Sequence, residues 1–304
     1  MNKIKIHISL RTKGAAIAPE AFTSLIDNNK YEVSLRKSDA PMTDDEIAMS
    51  ISDADAVYFG IDPYYSEKVL RQAKNLKVMT FAGVGYENYV DVKAARELGI
   101  EIRNAPGVNA VSVAELAVGL AIDALRKITF LSDKTERLMS RELRNLNIGL
   151  IGFGNINKAV YKILKDGFGA NVRYWNRTGD TTPLDTILAE SDMIFIAITT
   201  SDETKSFIGT KEIAKMKDGV ILINPARPSL VDEAALLLAL KSGKIAIAAQ
   251  DGRYENPEFQ KLPSDKFIST PHIGAATKEA RDATDATAAK NIVEFFEKLR
   301  FVDT

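Results

Sequence analysis

Short runs of β-branched and aromatic residues alternate with amphipathic windows almost from one end of the chain to the other. In the first third the apolar runs at 4–10, 31–35, 56–61, 77–81 and 100–104 read as strands. Helical periodicity lies between them at 20–27, 44–50, 66–74 and 91–98. Strands and helices alternating through such short connections predict a mostly parallel sheet wrapped by helices. A long helical pattern then runs over 111–130, behind the turn-like Pro106-Gly107. A polar stretch, 132–145, separates it from a second series, with strands expected at 148–151, 172–175, 193–198, 220–224, 245–250 and 267–269. A last helix over 277–299 closes the chain. The pattern predicts two doubly wound α/β units.

Composition narrows what such units can do. At 304 residues the chain is long enough for two cored domains. Lys and Arg number 40 against 41 Asp and Glu, a net charge of -1, so no basic field supports a nucleic-acid or anionic-membrane partner. The absence of cysteine excludes disulfides, thiolate nucleophiles and cysteine-bound metals. With His7 and His272 as the only histidines, no multi-histidine metal site can form, and no metal is expected. The opening MNKIKIHISL lacks the apolar core of a signal peptide, and the apolar stretch 114–131 carries Glu115, Asp123, Arg126 and Lys127. The expectation is a soluble, cytoplasmic enzyme.

The second series begins with a strand running straight into Gly152-Phe153-Gly154-Asn155-Ile156-Asn157. Glycine at 152 permits a tight turn, glycine at 154 lets the backbone approach a pyrophosphate, and the following helix N-terminus holds the anion. Asn157 stands where a third glycine normally lets helix and strand pack closely, which implies a slightly displaced helix. About twenty residues on, the next strand ends in Asn176-Arg177-Thr178. An acid there would bind the ribose hydroxyls and repel a 2′-phosphate; the neutral amide, guanidinium and hydroxyl suit a phosphate instead. NADP is therefore expected as the preferred coenzyme, with NAD as the other possibility.

Five segments in order resemble the D-isomer-specific 2-hydroxyacid dehydrogenase family. They are 81–88 (FAGVGYEN), 104–110 (NAPGVNA) with 113–115 (VAE), 149–154 (GLIGFG), 223–227 (INPAR) with 230–233 (LVDE), and 270–274 (TPHIG). The resemblance implies a Rossmann coenzyme domain, 103–272, inserted into a flavodoxin-like substrate domain, 1–102 plus 273–304, with the active site in the cleft. It implies Arg227 as the substrate-binding arginine, His272 as the acid/base, and the backbone of Ala82, Gly83, Val84 and Gly85 as the cradle of the substrate carboxylate. Asp251 matches the aspartate near the nicotinamide; Pro225, Ala226 and Gly274 are further candidate coenzyme contacts, and Thr199 or Thr200 is a candidate from the segment 197–204. The residue types suit reduction of a 2-keto acid, which needs a cation for the carboxylate and carbonyl and a proton donor for the developing alkoxide. Histidine is the side chain whose ordinary pKa fits that proton transfer. His7, by contrast, sits inside the first strand and reads as a satisfied sheet residue.

Two departures stand out. The family places a glutamate beside the catalytic histidine, and here Asn256 occupies that position. An amide orients imidazole but stabilises its charge far less, so His272 is expected to have a lower pKa than the usual pair gives. The segment 197–204 also lacks the family's proline-containing loop. Tyr64, Tyr65 and Phe81 are expected to form an apolar wall for larger keto acids. A homodimer is expected, with glyoxylate, hydroxypyruvate and larger keto acids as candidate substrates. Two rivals remain: a branch oxidising a small acid by direct hydride removal, as in formate-oxidising relatives, and a non-catalytic dinucleotide-sensing scaffold.

Overall fold

The computed structural model describes residues 3–11, 19–38 and 40–302, which separate into two compact units. The first comprises Met1–Asn109 and Ala276–Thr304. Its strands are β1 (Ile4–Arg11), β2 (Tyr31–Ser38), β3 (Ala56–Phe59), β4 (Val78–Phe81) and β5 (Glu101–Arg103), all parallel in the order β2-β1-β3-β4-β5. Every residue of β3 and β4 is buried. That explains their unbroken apolar runs, since a parallel sheet is covered on both faces. Helices α1 (Pro19–Ser24), α2 (Asp44–Ile51), α3 (Glu67–Leu70) and α4 (Val92–Glu97) connect the strands. Thr43 and Glu46 form a reciprocal capping box that fixes the start of α2.

The C-terminal helix, Lys278–Val302, returns to this unit and buries Ala288, Ala289, Ile292 and Phe296 against Ile6, Ile8, Tyr58 and Val78. Tyr58 donates to Asp285 at 2.6 Å with both residues fully buried, so one strand and the helix share a polar anchor inside the core. Asn291 adds a second tie, donating to Thr80 Oγ1 at 3.2 Å and to the Asn104 carbonyl at 3.0 Å. His7 is a satisfied sheet residue: its two ring nitrogens lie 2.8 Å from Ser34 Oγ and Ser9 Oγ. Burial and the nearby Arg36 charge lower its pKa to about 4.

The second unit, Ala110–Ala275, opens with α5 (Ala110–Arg126). The single helix expected over 111–130 is interrupted. Lys127 takes a left-handed conformation with φ of 53°, and α6 (Ile128–Leu131) starts afresh. Asp123 accounts for the break by accepting from the Thr129 N–H at 2.8 Å and its hydroxyl at 2.6 Å, which caps the new turn. Six parallel strands follow, β6 (Asn147–Ile151), β7 (Asn171–Trp175), β8 (Met193–Ile196), β9 (Val220–Asn224), β10 (Ile245–Asp251) and β11 (Phe267–Thr270). Their order is β11-β10-β9-β8-β6-β7. Helices α7 (Asn155–Lys162), α8 (Leu184–Glu190), α9 (Thr210–Lys215) and α10 (Glu233–Ser242) cross between them. The connections change direction at β6, so the carboxyl edge between β6 and β8 is the topological switch point where α/β sheets take ligands.

Candidate active site

The glycine turn lies at that switch point. Gly152 has φ of +86°, and a Cβ there would stand 2.5 Å from the Ala197 carbonyl oxygen at the end of β8. Only glycine fits this approach of two strand ends. Gly154 is the N-cap of α7; no side chain caps the helix, and a Cβ at 154 would meet nothing within 4 Å. An uncapped helix N-terminus behind an open glycine leaves the first backbone N–H groups of α7 available to an anion, the kind of group a pyrophosphate presents. Phe153 does not point away freely, because its ring stacks on Tyr174 at 3.7 Å.

Asn157 is more than a substitute for a missing glycine. Fully buried, it donates through Nδ2 to the Ile151 carbonyl at 3.1 Å and the Gly152 carbonyl at 2.8 Å. The amide fastens the helix to the strand end that the turn leaves. Its Oδ1 is buried with no partner among the described residues.

On the β7 side, Asn176 is half-buried while Arg177 and Thr178 are exposed. The sequence places no acid here, but the fold does. Glu203, from the loop after β8, stands 3.4 Å from Arg177 Nη1. The expectation that nothing opposes a 2′-phosphate therefore needs correction, since a carboxylate already faces the guanidinium. Thr199 and Thr200 are exposed on the same loop, and the Thr199 carbonyl accepts from Thr204 at 2.7 Å.

Three neighbouring strand ends hold Arg227, Asp251 and His272. After β9, Asn224 closes a turn with its buried amide, accepting from the Ala226 N–H at 3.1 Å and donating to the Arg227 carbonyl at 2.7 Å. Pro225 and Ala226 are buried within it, and Arg227 emerges exposed with an extended backbone, as a residue before proline should. Asp251 ends β10, 2% exposed, with its carboxylate wholly turned to the loop after β11. It accepts from Thr270 Oγ1 at 2.6 Å, the Ile273 N–H at 2.8 Å and the Gly274 N–H at 2.7 Å. These bonds bracket His272, which is held left-handed at φ of 59°. Such a conformation costs a non-glycine residue energy and persists where neighbours impose it. A Cβ at Gly274 would lie 2.8 Å from Asp251 Oδ2, so glycine is needed to close the loop. The Gly274 N–H is consequently engaged by Asp251.

His272 is exposed on its own unit, yet partial loss of hydration and then the Arg227 charge hold its pKa below the ordinary value; Asp251 opposes them. Asn256 is not its partner. Asn256 Oδ1 accepts from the Glu258 N–H at 3.0 Å, and its own N–H donates to Glu233 at 3.3 Å. The amide caps a turn, and among the described residues no hydrogen bond joins it to His272.

In the first unit, the segment 82–85 offers fewer donors than expected. The Ala82 N–H already donates to the Phe59 carbonyl at 2.8 Å and the Gly83 N–H to the Phe81 carbonyl at 2.9 Å. Val84 and Gly85, both exposed, keep their N–H groups without a backbone partner among the described residues. Asn104 steadies this loop, donating to the Val84 carbonyl at 2.6 Å. The apolar wall is also corrected: Tyr65 and Phe81 are core residues at 0% and 3% exposure, and of the three only Tyr64 reaches the surface. Sequence reasoning missed Asn224, Asn104 and Glu203; the first two lie inside the recognised motifs, but Glu203 lies in a loop with no motif.

A doubly wound sheet with an open glycine turn at its switch point, and a cation and an imidazole on the ends of strands flanking β10, defines a dinucleotide-binding α/β protein. The second unit carries the comparison further: residues 118–274 match the model of the D-isomer specific 2-hydroxyacid dehydrogenase NAD-binding domain. The chain is 34% identical to the hydroxypyruvate reductase of Thermotoga maritima over 92% of this chain and 94% of that protein. It is 37% identical to the D-3-phosphoglycerate dehydrogenase of Archaeoglobus fulgidus over 83% of its length, and the match spans about half, 51%, of that longer relative. A solved structure of a Thermus thermophilus protein superposes with a TM-score of 0.83 at 27% identity, covering 97% of both chains. The chain belongs to the D-isomer-specific 2-hydroxyacid dehydrogenase family. Among its described residues no helix is long and apolar enough to cross a membrane.

Proposed function

We propose that the protein is an NAD(P)H-dependent reductase of 2-keto acids, giving D-2-hydroxy acids. The observation that carries this reading is the clustering of Arg227, Asp251 and His272 on the consecutive strand ends β9, β10 and β11. The open glycine turn and uncapped α7 fit a dinucleotide, which Gly152, Gly154, Asn155 and Ile156 would hold by their backbone, and the bound nicotinamide supplies a hydride. Arg227 binds the substrate carboxylate and carbonyl oxygen through its planar fork, concentrating positive charge where the alkoxide develops. Protonated His272 then gives its proton to that oxygen, which completes the hydroxy acid. Asp251 holds the loop that carries the imidazole. Val84 and Gly85 offer the two N–H groups left for the substrate carboxylate.

Arg177 and Thr178 favour NADPH, and the Glu203 carboxylate is the counterweight. Glyoxylate and hydroxypyruvate are the first substrates to try, followed by larger keto acids. We read the working form as a cytoplasmic homodimer. The test is coenzyme oxidation followed by absorbance, with NADPH and NADH in parallel against glyoxylate, hydroxypyruvate, pyruvate, phenylpyruvate and 2-ketoisocaproate. Turnover that disappears in His272→Asn supports the reading. Tight coenzyme binding with no turnover on any of these acids refutes it and favours a sensor. The lack of a glutamate at 256 favours a second reading, hydride removal from a small acid without proton transfer; formate oxidation surviving His272→Asn would establish that branch.

A further inference from the structure

Two loops rise from the carboxyl edge of the second sheet on either side of β6, and an ion pair joins them. The loop after β7 carries Arg177. It is closed on itself by Thr181, whose Oγ1 accepts from the Asn176 N–H at 3.3 Å and donates to the Asn176 carbonyl at 3.4 Å. The loop after β8 carries Glu203 in a turn set by Thr204, whose Oγ1 accepts from the Ser201 N–H and donates to the Thr199 carbonyl, both at 2.7 Å. Both loop frames are thus fixed by their own hydroxyls, while the two side chains that meet remain free to move, 78% and 81% exposed. Because β6 lies between β7 and β8, the pair joins the two sides of the strand that ends in the glycine turn.

We propose that Glu203 is a coenzyme-specificity residue: from the β8 loop it supplies the carboxylate that the end of β7 lacks, and its hold on Arg177 sets the balance between NADH and NADPH. With NADH, the carboxylate accepts hydrogen bonds from the adenosine ribose hydroxyls while it still neutralises Arg177. With NADPH, the 2′-phosphate and Glu203 compete for one guanidinium, and binding the phosphate brings two like charges together. An ion pair this exposed is weak, so the competition tunes the choice and does not forbid either coenzyme. The inference deepens the proposed function and rests on its placing of the dinucleotide at the glycine turn.

The experiment is direct titration of the full chain with NADH and with NADPH, read by the fluorescence of Trp175. That residue is the chain's one tryptophan; it precedes Asn176 and stacks 5.5 Å from Phe207. Glu203→Gln is expected to tighten NADPH and weaken NADH, moving the ratio of their dissociation constants about two- to fivefold toward NADPH. Arg177→Gln is expected to move the ratio the other way. An unchanged ratio in Glu203→Gln, or a parallel change for both coenzymes, overturns the proposal, since a mere loop brace would affect both alike. If neither coenzyme binds the unaltered protein, the dinucleotide reading itself fails, and this inference with it.

Discussion

Asp251 commits its carboxylate to the loop around His272, and that commitment governs two measurable quantities. Asparagine at 251 keeps the shape but offers one carbonyl oxygen where three donors now converge, so the left-handed backbone of His272 loses its brace. Misplacing an acid group by an ångström or so costs rate on the order of 10²-fold, and Asp251→Asn is expected to lose kcat to about that extent. The substitution also removes the charge that opposes the other influences on the imidazole. The pKa of His272 then falls further, and the alkaline limb of reduction moves to lower pH. A loss of rate with an unmoved pH profile would mean that Asp251 acts through folding alone. In the unaltered protein the sign follows the same logic. The proposed donor is the protonated His272 ring, its pKa lies below the ordinary 6.5, and the protonated fraction falls as pH rises through the lowered value. The pH profile of kcat/KM for reduction should therefore decline with an apparent pKa under 6.5, unlike that of an enzyme whose histidine faces a glutamate. A plateau extending well into the alkaline range would contradict the assignment of Asn256 to capping and point to a carboxylate recruited on substrate binding.

At the scale of elements, the turn from β6 into α7 is where composition and geometry agree most closely. Gly152→Ala would force a Cβ against the Ala197 carbonyl at a left-handed φ, and is expected to cost about 2 kcal/mol or more of stability and to abolish coenzyme binding. A stable Gly152→Ala protein that binds NADH normally would show that the strand ends have room the structure denies. This turn was legible in the sequence because its requirement is steric, and steric requirements leave glycine behind. The alternating strands were legible for a similar reason, since burial on both faces demands the unbroken runs of β3 and β4. Other features left no such mark. The break after α5 depends on Asp123 reaching forward to Thr129, a contact that a helical pattern over 111–130 conceals. Asn157 looked like a poor glycine because its hydrogen bonds to two strand-end carbonyls exist only once the turn has formed. Tyr65 and Phe81 carried no sign that they face the core and not a ligand. Glu203 was invisible for the plainest reason: it lies in a loop with no motif, 26 residues from its partner Arg177.

For the whole molecule, the arrangement of cores predicts which part stands alone. The second unit is one continuous segment, Ala110–Ala275, and the two apolar clusters that fill it draw every member from within that segment. The first unit is assembled from both ends of the chain, and one of its clusters joins Ile6, Tyr58 and Val78 to Ala288, Ile292 and Phe296. Removing 276–304 would uncover that apolar surface and strand the buried Tyr58 hydroxyl, whose partner Asp285 lies on the removed helix. An unpaired buried polar group costs about 1–3 kcal/mol before the exposed apolar area is counted, a large share of a domain's margin. A fragment spanning 110–275 is therefore expected to unfold cooperatively in urea and to bind coenzyme through Trp175 fluorescence as the full chain does, while 1–109 alone should lack a cooperative transition. The fragment should also turn over no keto acid, because Val84 and Gly85, the proposed carboxylate donors, are absent from it. If 110–275 is unfolded while 1–109 folds, the division drawn from the cores is wrong. If 110–275 folds, binds coenzyme and still reduces a keto acid, Arg227 and His272 suffice for the reaction and the segment 82–85 has no part in holding the substrate.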